Sequence, residues 1–221
     1  MIVGLIGGAA AQAHEPITTK LTWTQEISRI IYKRCASCHH EGGTAFSLVA
    51  YDDARPWAKA IREEVLERRM PPWGAVEGIR PYRGDPSLTP LEIEMIVSWA
   101  EGGAPEGDAM YLPPAPRFGS GETSQSGMPV PRVVVESTVP LTLREPMTVL
   151  AVAPRDLPTG ASMEVTAYKP DGSVEHLIWL RNYREAWTRT YWFRDPLPLP
   201  AGSQIVVDAP RPGAALVAIS R

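Results

Sequence analysis

The sequence predicts an α + β chain in two domains, an all-α domain followed by an all-β sandwich of jelly-roll-like type. Three observations predict it. Apolar residues recur at helical spacing in the first half, short β-rich runs replace them in the second, and a stretch rich in Pro, Gly, Ser and Thr separates the two. At 221 residues the chain has room for two small domains. The expected division is 1–13 as a cleaved leader, 14–108 as the helical domain, 109–131 as linker and 132–221 as the β domain.

Ile2 to Ala13 is small and apolar and ends in Ala11-Gln12-Ala13, a small-x-small site of the kind cut by signal peptidase. This predicts an export signal, a mature chain beginning at His14 and a periplasmic or otherwise exported location, although no basic n-region precedes the apolar run. The run is far shorter than the roughly 20 residues that span a bilayer, and no later segment qualifies, so no transmembrane segment is expected in the mature chain.

Thr22 with Gln25 three residues on suggests a capping box, after which Ile27, Ile30 and Ile31 recur at helical spacing up to Cys35. A second helix is expected to start at Asp52 or Asp53 as N-cap, with Pro56 tolerated near its first turn. Trp57, Ile61 and Val65 form its apolar stripe, Arg62, Glu63, Glu64, Glu67 and Arg68 a solvated face, and Pro71-Pro72 its end. The third helix has the clearest start: Thr89 as N-cap, Pro90 at N1 and Glu92 at N3. Leu91, Met95 and Trp99 give it an apolar face, and Gly102-Gly103 stops it.

Pro113-Pro114-Ala115-Pro116 and Gly119-Ser120-Gly121 mark the linker. Beyond it, strands are expected at Val133–Val135, Met147–Ala153, Ser162–Tyr168, Ser173–Arg181, Thr188–Phe193, Gln204–Val207 and Ala215–Ile219. Pro170-Asp171-Gly172 joins two of them, Pro presetting φ and Gly closing the turn. Several short strands in about 90 residues suggest a β-sandwich.

The formal charge of −3, the pI near 5.9 and the lack of a long basic run argue against nucleic acid as a partner, and nothing points to a membrane surface. The only cysteines are Cys35 and Cys38, and one motif uses both. That motif, Cys35-Ala36-Ser37-Cys38-His39, is the C-x-x-C-H signature of covalent c-type haem attachment. Two thiols at this spacing reach the two vinyl groups on one edge of a porphyrin, and the next imidazole reaches the iron. A thioredoxin-like dithiol would need a strand leading into the motif, where a helix is expected instead. Structural zinc would need two histidines besides the thiols; His14, His39, His40 and His176 lack the usual H-x-x-x-H spacing.

Iron held by His39 needs a sixth ligand or an open position. Of the seven methionines, Met70 is the candidate, because Pro71-Pro72 stiffens the backbone behind it and its flanks, Arg68-Arg69 and Trp73, are turn-like. Met95 is the reserve, with core packing the expected fate of a residue on an apolar stripe. His40, adjacent to His39, cannot point at the same iron and is expected to face solvent.

A helix running into C-x-x-C-H, a Met-containing turn some 30 residues later and a final helix capped by Thr-Pro together resemble a class I monohaem cytochrome c. The wider pattern is Cys38-His39 with Gly42-Gly43, Phe46-Ser47-Leu48, Tyr51-Asp52-Asp53-Ala54-Arg55-Pro56-Trp57, Met70-Pro71-Pro72-Trp73 and Trp99-Ala100-Glu101-Gly102-Gly103-Ala104-Pro105. It resembles a bacterial exported cytochrome family marked by the M-P-P-W turn, over about residues 20 to 108. The resemblance implies one covalent haem c on Cys35 and Cys38, His39 as proximal and Met70 as distal iron ligand, and Arg55 and Trp57 as donors to the haem propionates. Met/His ligation implies one-electron transfer rather than enzyme catalysis. The implied partners are a redox donor and acceptor, or a larger respiratory or oxidoreductase assembly.

In the β half, Ala167-Tyr168-Lys169-Pro170-Asp171-Gly172, Leu177-Ile178-Trp179-Leu180, Tyr183, Trp187, Tyr191 and Pro196-Leu197-Pro198-Leu199-Pro200-Ala201-Gly202 resemble the C-terminal domain of copper type II, ascorbate-dependent monooxygenases, over about residues 147 to 208. Where that family has a metal-binding histidine three residues before the glycine matching Gly160, this chain has Leu157, so the resemblance does not carry copper over. Met163 and His176 remain as soft and imidazole groups, and His176 is expected to lie hydrogen-bonded inside the sandwich. Trp179, Trp187, Tyr191 and Trp192 read as sandwich core. The expected role of the β domain is docking to a redox partner. The alternatives are a haem-coupled, copper-monooxygenase-like enzyme and a haem-based ligand sensor.

Overall fold

A computed structural model describes residues 19–118 and 140–210, with the backbone of two further strands at Val133–Val135 and Ala214–Ser220. The expected signal peptide and residues 119–131 of the expected linker lie outside the described residues. The class shown is mixed: short α-helices and antiparallel sheets. Contacts divide the chain into two discontinuous units, Met1–Leu66 with Thr89–Pro116, and Glu67–Leu88 with Arg117–Arg221. The segment carrying Met70-Pro71-Pro72-Trp73 therefore belongs to the β unit.

In the first unit a π-helical turn, Trp23–Ile27, leads into α1, Ser28–Arg34. Thr22 caps it as expected through the Gln25 N–H, at 3.3 Å, but the return bond to the Thr22 N–H comes from Glu26, at 2.9 Å, rather than from Gln25. Ile27, Ile30 and Ile31 are buried on one face. The second helix starts earlier than either aspartate predicts: α2 is Tyr51–Ala54 with Ala50 at its N-cap, and Asp52 and Asp53 occupy its first turn. Pro56, which lacks an N–H, sits in a 3-10 turn, Arg55–Trp57, before α3, Ala58–Leu66. Ala54, Ala58 and Val65 form the buried row, and Trp57, expected on it, is 47% exposed. The helix stops at Leu66, where Arg68 takes φ +53, so Pro71-Pro72 is not its terminator.

Helix α4, Pro90–Glu101, has the full Thr89–Glu92 capping box and Gly102 at its C-cap. Its buried face is Ile96 and Trp99, while Leu91 stands 64% exposed, which rotates the core stripe away from the expected Leu91-Met95-Trp99 row. Trp23 packs on Trp99 with ring centroids 6.1 Å apart, the Trp99 indole N–H donates to the Pro105 carbonyl at 3.0 Å, and Arg34 pairs with Glu92 at 3.1 Å. These contacts tie the end of α1 to α4.

The second unit contains two four-stranded antiparallel sheets. Strands β1 (Val133–Val135), β8 (Ala214–Ser220), β3 (Met147–Pro154) and β6 (Tyr191–Leu199) are neighbours in that order in one. In the other the order is β2 (Leu141–Thr142), β7 (Gln204–Asp208), β4 (Met163–Tyr168), β5 (Val174–Leu180). Val149, Phe193 and Leu199 of the first sheet share one core with Val165, Ile178 and Ile205 of the second. The two-residue β2 was not foreseen. β6 carries Pro196 and Pro198, which its place at a sheet edge permits. The Pro170-Asp171-Gly172 turn is as expected: Gly172, at φ +83, donates to the Lys169 carbonyl at 3.0 Å.

Residues 67–88 cross between β5 and β6, one strand from each sheet. Val76 N–H donates to the Trp179 carbonyl at 2.8 Å and Arg181 N–H to the Gly74 carbonyl at 3.1 Å. On the other side Arg83 N–H donates to the Trp192 carbonyl at 2.8 Å and Arg194 N–H to the Pro81 carbonyl at 3.0 Å. One edge of each sheet, at β5 and at β6, is thereby partly covered.

Candidate functional site

The C-x-x-C-H motif forms one further turn off the end of α1. Cys35 and Ala36 N–H groups donate to the Ile31 carbonyl at 2.9 Å, and the Cys38 and His39 N–H groups to the Cys35 carbonyl at 3.1 and 3.0 Å. Residues three and four apart on such a turn share a face, so Cys35 lies on one face with Cys38 and with His39.

The chain then folds back on the motif. Ala45 N–H donates to the Cys38 carbonyl at 3.1 Å and Leu48 N–H to the His39 carbonyl at 3.1 Å. Gly43 permits the return: a Cβ there would stand 2.4 Å from the Cys38 carbonyl oxygen and 2.9 Å from the His40 ring. This return places the Phe46 carbonyl oxygen 2.9 Å from His39 Nδ1. A carbonyl can only accept, so Nδ1 carries the proton and Nε2 is left with a free lone pair.

Phe46 lies edge-on to His39, centroids 5.1 Å apart, and Trp57 lies 4.7 Å beyond it. Phe46 is 51% exposed, so imidazole, phenyl and indole form a surface-facing aromatic row. Both thiols are free, and burial, then the neighbouring Cys38 and Glu92, push the Cys35 thiol up to about 12 against the lowering effect of Arg34.

Among the described residues no three His, Cys, Asp or Glu side chains converge to hold one ion. Two thiols and an imidazole on one turn suit a ligand that takes the sulfurs at its edge and the nitrogen at its centre. The oriented Nε2 and the exposed aromatic row fit a flat apolar macrocycle bearing a metal. The residues present thus fit a covalent haem.

Cys35, Cys38 and His39 are brought together, with Trp57 linked to them through Phe46. Arg55 is exposed in the 3-10 turn. Met70, 41% exposed, is carried by residues 67–88 of the β unit, and its peptide bond to Pro71 is cis. His40 is not turned to solvent: it is half-buried, with Nδ1 2.8 Å from the Ala36 carbonyl oxygen. Sequence reasoning missed the Phe46 carbonyl, whose seven-residue offset from His39 has no local signature, and the link from Arg34 to Glu92.

In the β unit His176 is exposed, not interior. Val165 pairs with Ile178 but Thr166 with His176, a bulge at Leu177 that reverses the alternation. The ring meets Glu164 at 2.8 Å, while Met163 is buried in the core, so this imidazole and this thioether are not brought together. Leu157 is also core. Compared with known proteins, the chain matches no family model, no curated protein and no solved structure.

Proposed function

We propose that the chain is an exported monohaem cytochrome c of class I type that passes single electrons between redox partners. The observation that carries this reading is the Phe46 carbonyl at 2.9 Å from His39 Nδ1, which fixes the tautomer and leaves Nε2 free for iron at the end of a C-x-x-C turn. Cys35 and Cys38 would hold the haem through their sulfurs and His39 would supply a nitrogen to its iron; the M-P-P-W motif makes Met70 the candidate for a second, sulfur donor. When bound, the haem supplies a one-electron couple, and Met/His ligation raises its potential. The Phe46 bond keeps the His39 ring from turning. Phe46 and Trp57 cover apolar surface, and Trp57 with Arg55 receives the propionates.

On this reading the helical unit is a cytochrome c domain of short helices. The β unit is a jelly-roll-like sandwich, a reading supported by strand orders β1-β8-β3-β6 and β2-β7-β4-β5, in which every consecutive pair of strands except β4–β5 alternates between sheets. Periplasmic location, a redox donor and acceptor or a larger respiratory assembly as partner, and transfer rather than catalysis belong to the same proposal. No helix among the described residues is long and apolar enough to cross a membrane.

The test is intact-mass and visible spectroscopy on natively produced protein. A mass raised by one haem, both thiols blocked to alkylation and a low-spin spectrum are expected. Colourless protein with two alkylatable thiols would end the proposal.

A further inference from the structure

We propose that Asp53, acting through Ser47, is a positioning residue for His39: it latches the peptide whose carbonyl fixes the His39 ring. The inference rests on the reading of His39 as the nitrogen donor to haem iron, stays within the helical unit, and adds what holds that donor's partner in place.

The carbonyl that meets His39 Nδ1 at 2.9 Å shares one planar peptide with the Ser47 nitrogen, because Phe46 precedes Ser47. Whatever fixes Ser47 therefore aims that carbonyl. Ser47 Oγ donates to Asp53 Oδ2 at 2.8 Å and accepts from the Val49 N–H at 3.2 Å, so its side chain is bonded on both sides. The flanking residues are held by backbone alone, Ala45 N–H on the Cys38 carbonyl and Leu48 N–H on the His39 carbonyl, both at 3.1 Å. Between those two fixed points the peptide of Phe46 and Ser47 is free to rotate unless something outside the loop holds it. The Phe46 ring packs 4.7 Å from Trp57, but it turns about its own side-chain bonds and leaves the peptide loose. The hydroxyl bond to Asp53 is the tie that acts on the peptide itself.

Asp53 stands on a firm support. It lies in the first turn of α2, whose Ala54 is fully buried. Tyr51 of the same turn packs on Trp23, ring centroids 6.3 Å apart, and its hydroxyl donates to the Ala104 carbonyl at 2.9 Å. The N-cap, Ala50, has no side chain that could cap the helix, yet the Asp53 carboxylate reaches three residues beyond it, to Ser47. Exposure explains why a latch is needed. The bond from His39 to the Phe46 carbonyl lies at the surface, where water competes for both partners and the net worth of one neutral hydrogen bond is small. A charge-assisted bond to a carboxylate on an anchored helix keeps the carbonyl aimed at the ring.

The test uses natively produced holoprotein, with isotope-labelled histidine, in five forms: wild type, Ser47→Ala, Ser47→Thr, Asp53→Ala and Asp52→Ala. Ser47→Ala and Asp53→Ala each delete one side of the latch, and Ser47→Thr keeps the hydroxyl. Asp52→Ala removes a carboxylate from the same helical turn while leaving the Ser47 bond, which controls for charge at the helix start. The readouts are haem mass, solvent exchange of the His39 Nδ1 proton by NMR, the reduction potential and the denaturation midpoint.

Ser47→Ala and Asp53→Ala are expected to speed exchange of the Nδ1 proton about two- to tenfold, the factor that the net worth of one hydrogen bond produces. Their potential rises, because an imidazole that loses its acceptor is a weaker donor to oxidised iron. Ser47→Thr and Asp52→Ala behave as wild type in both respects. Wild-type exchange and potential in Ser47→Ala and Asp53→Ala overturn the latch whatever the denaturation midpoint does, since a merely structural bond moves the midpoint alone. A change in Asp52→Ala as large as that in Asp53→Ala overturns it too, because charge at the helix start would then be the cause. If Asp53→Ala does not accumulate, Ser47→Ala decides by the same criteria. Wild-type protein that carries no haem overturns the haem reading instead. The latch is then decided on the haem-free chain by the nitrogen shifts of His39: protonation at Nδ1 in wild type and mixed tautomers in Ser47→Ala support it, and unchanged tautomers overturn it.

Discussion

At His39 an imidazole that could present either nitrogen is held by the Phe46 carbonyl, and the loop that brings this carbonyl back turns at Gly43. A methyl group at residue 43 has no room against the Cys38 carbonyl, so the loop must move to accept one. Gly43→Ala is expected to cost about 1–3 kcal/mol, as overpacking does, and, under the proposed function, to lower the yield of haem-bearing protein; an unchanged denaturation midpoint would contradict this. Glu92 is a second residue with a measurable signature. Burial raises its carboxyl pKa, but the Thr89 N–H and the Arg34 guanidinium outweigh burial and hold it below the ordinary value. A lowered folded pKa means the stabilisation is complete above the unfolded value, near 4.3, and disappears as pH falls through the folded one. Glu92→Gln should therefore be less stable than wild type by about 1–3 kcal/mol at neutral pH, and the gap should close below about pH 4. A gap independent of pH in paired melts at the two pH values would show that the charge contributes nothing.

Elements differ in how much of themselves they declare in sequence. The α4 start was fully legible, because Thr89, Pro90 and Glu92 act within one turn and their chemistry is local. Thr89→Ala is expected to cost about 1 kcal/mol, read from thermal or denaturant unfolding; a neutral substitution would mean that tertiary packing alone sets this helix end. The buried face of the same helix was not legible, since Leu91 and Ile96 are equally apolar and the tertiary packing, Trp23 on Trp99 included, decides which is covered. His176 misled for a different reason. Strict alternation along β5 predicts an interior ring, but one extra residue at Leu177 shifts the register and turns it outward beside Glu164. A bulge is decided by two paired strands together, so one strand's pattern does not reveal it.

Across the whole molecule the chain does not divide at a single point, since Glu67–Leu88 joins the β unit and Thr89–Pro116 returns to the helical one. A protease site engineered into residues 119–131 makes this measurable. The N-terminal fragment would carry residues 67–88 and the C-terminal fragment β5 and β6, so the cut halves should co-elute on size exclusion and part only in denaturant. Separation in native buffer would mean that the bonds from Val76 and Arg83 do not hold. By itself, the sequence determined the C-x-x-C-H motif, the start of α4, the β-rich half and most of its strands, because these depend on residues within a few positions of one another. Tertiary structure decided which His39 nitrogen is free, which helix faces are covered and which unit carries Met70. Those outcomes depend on partners such as Phe46, Trp23 and Phe193, brought near by chain closure, and the sequence spacing between such partners obeys no local period.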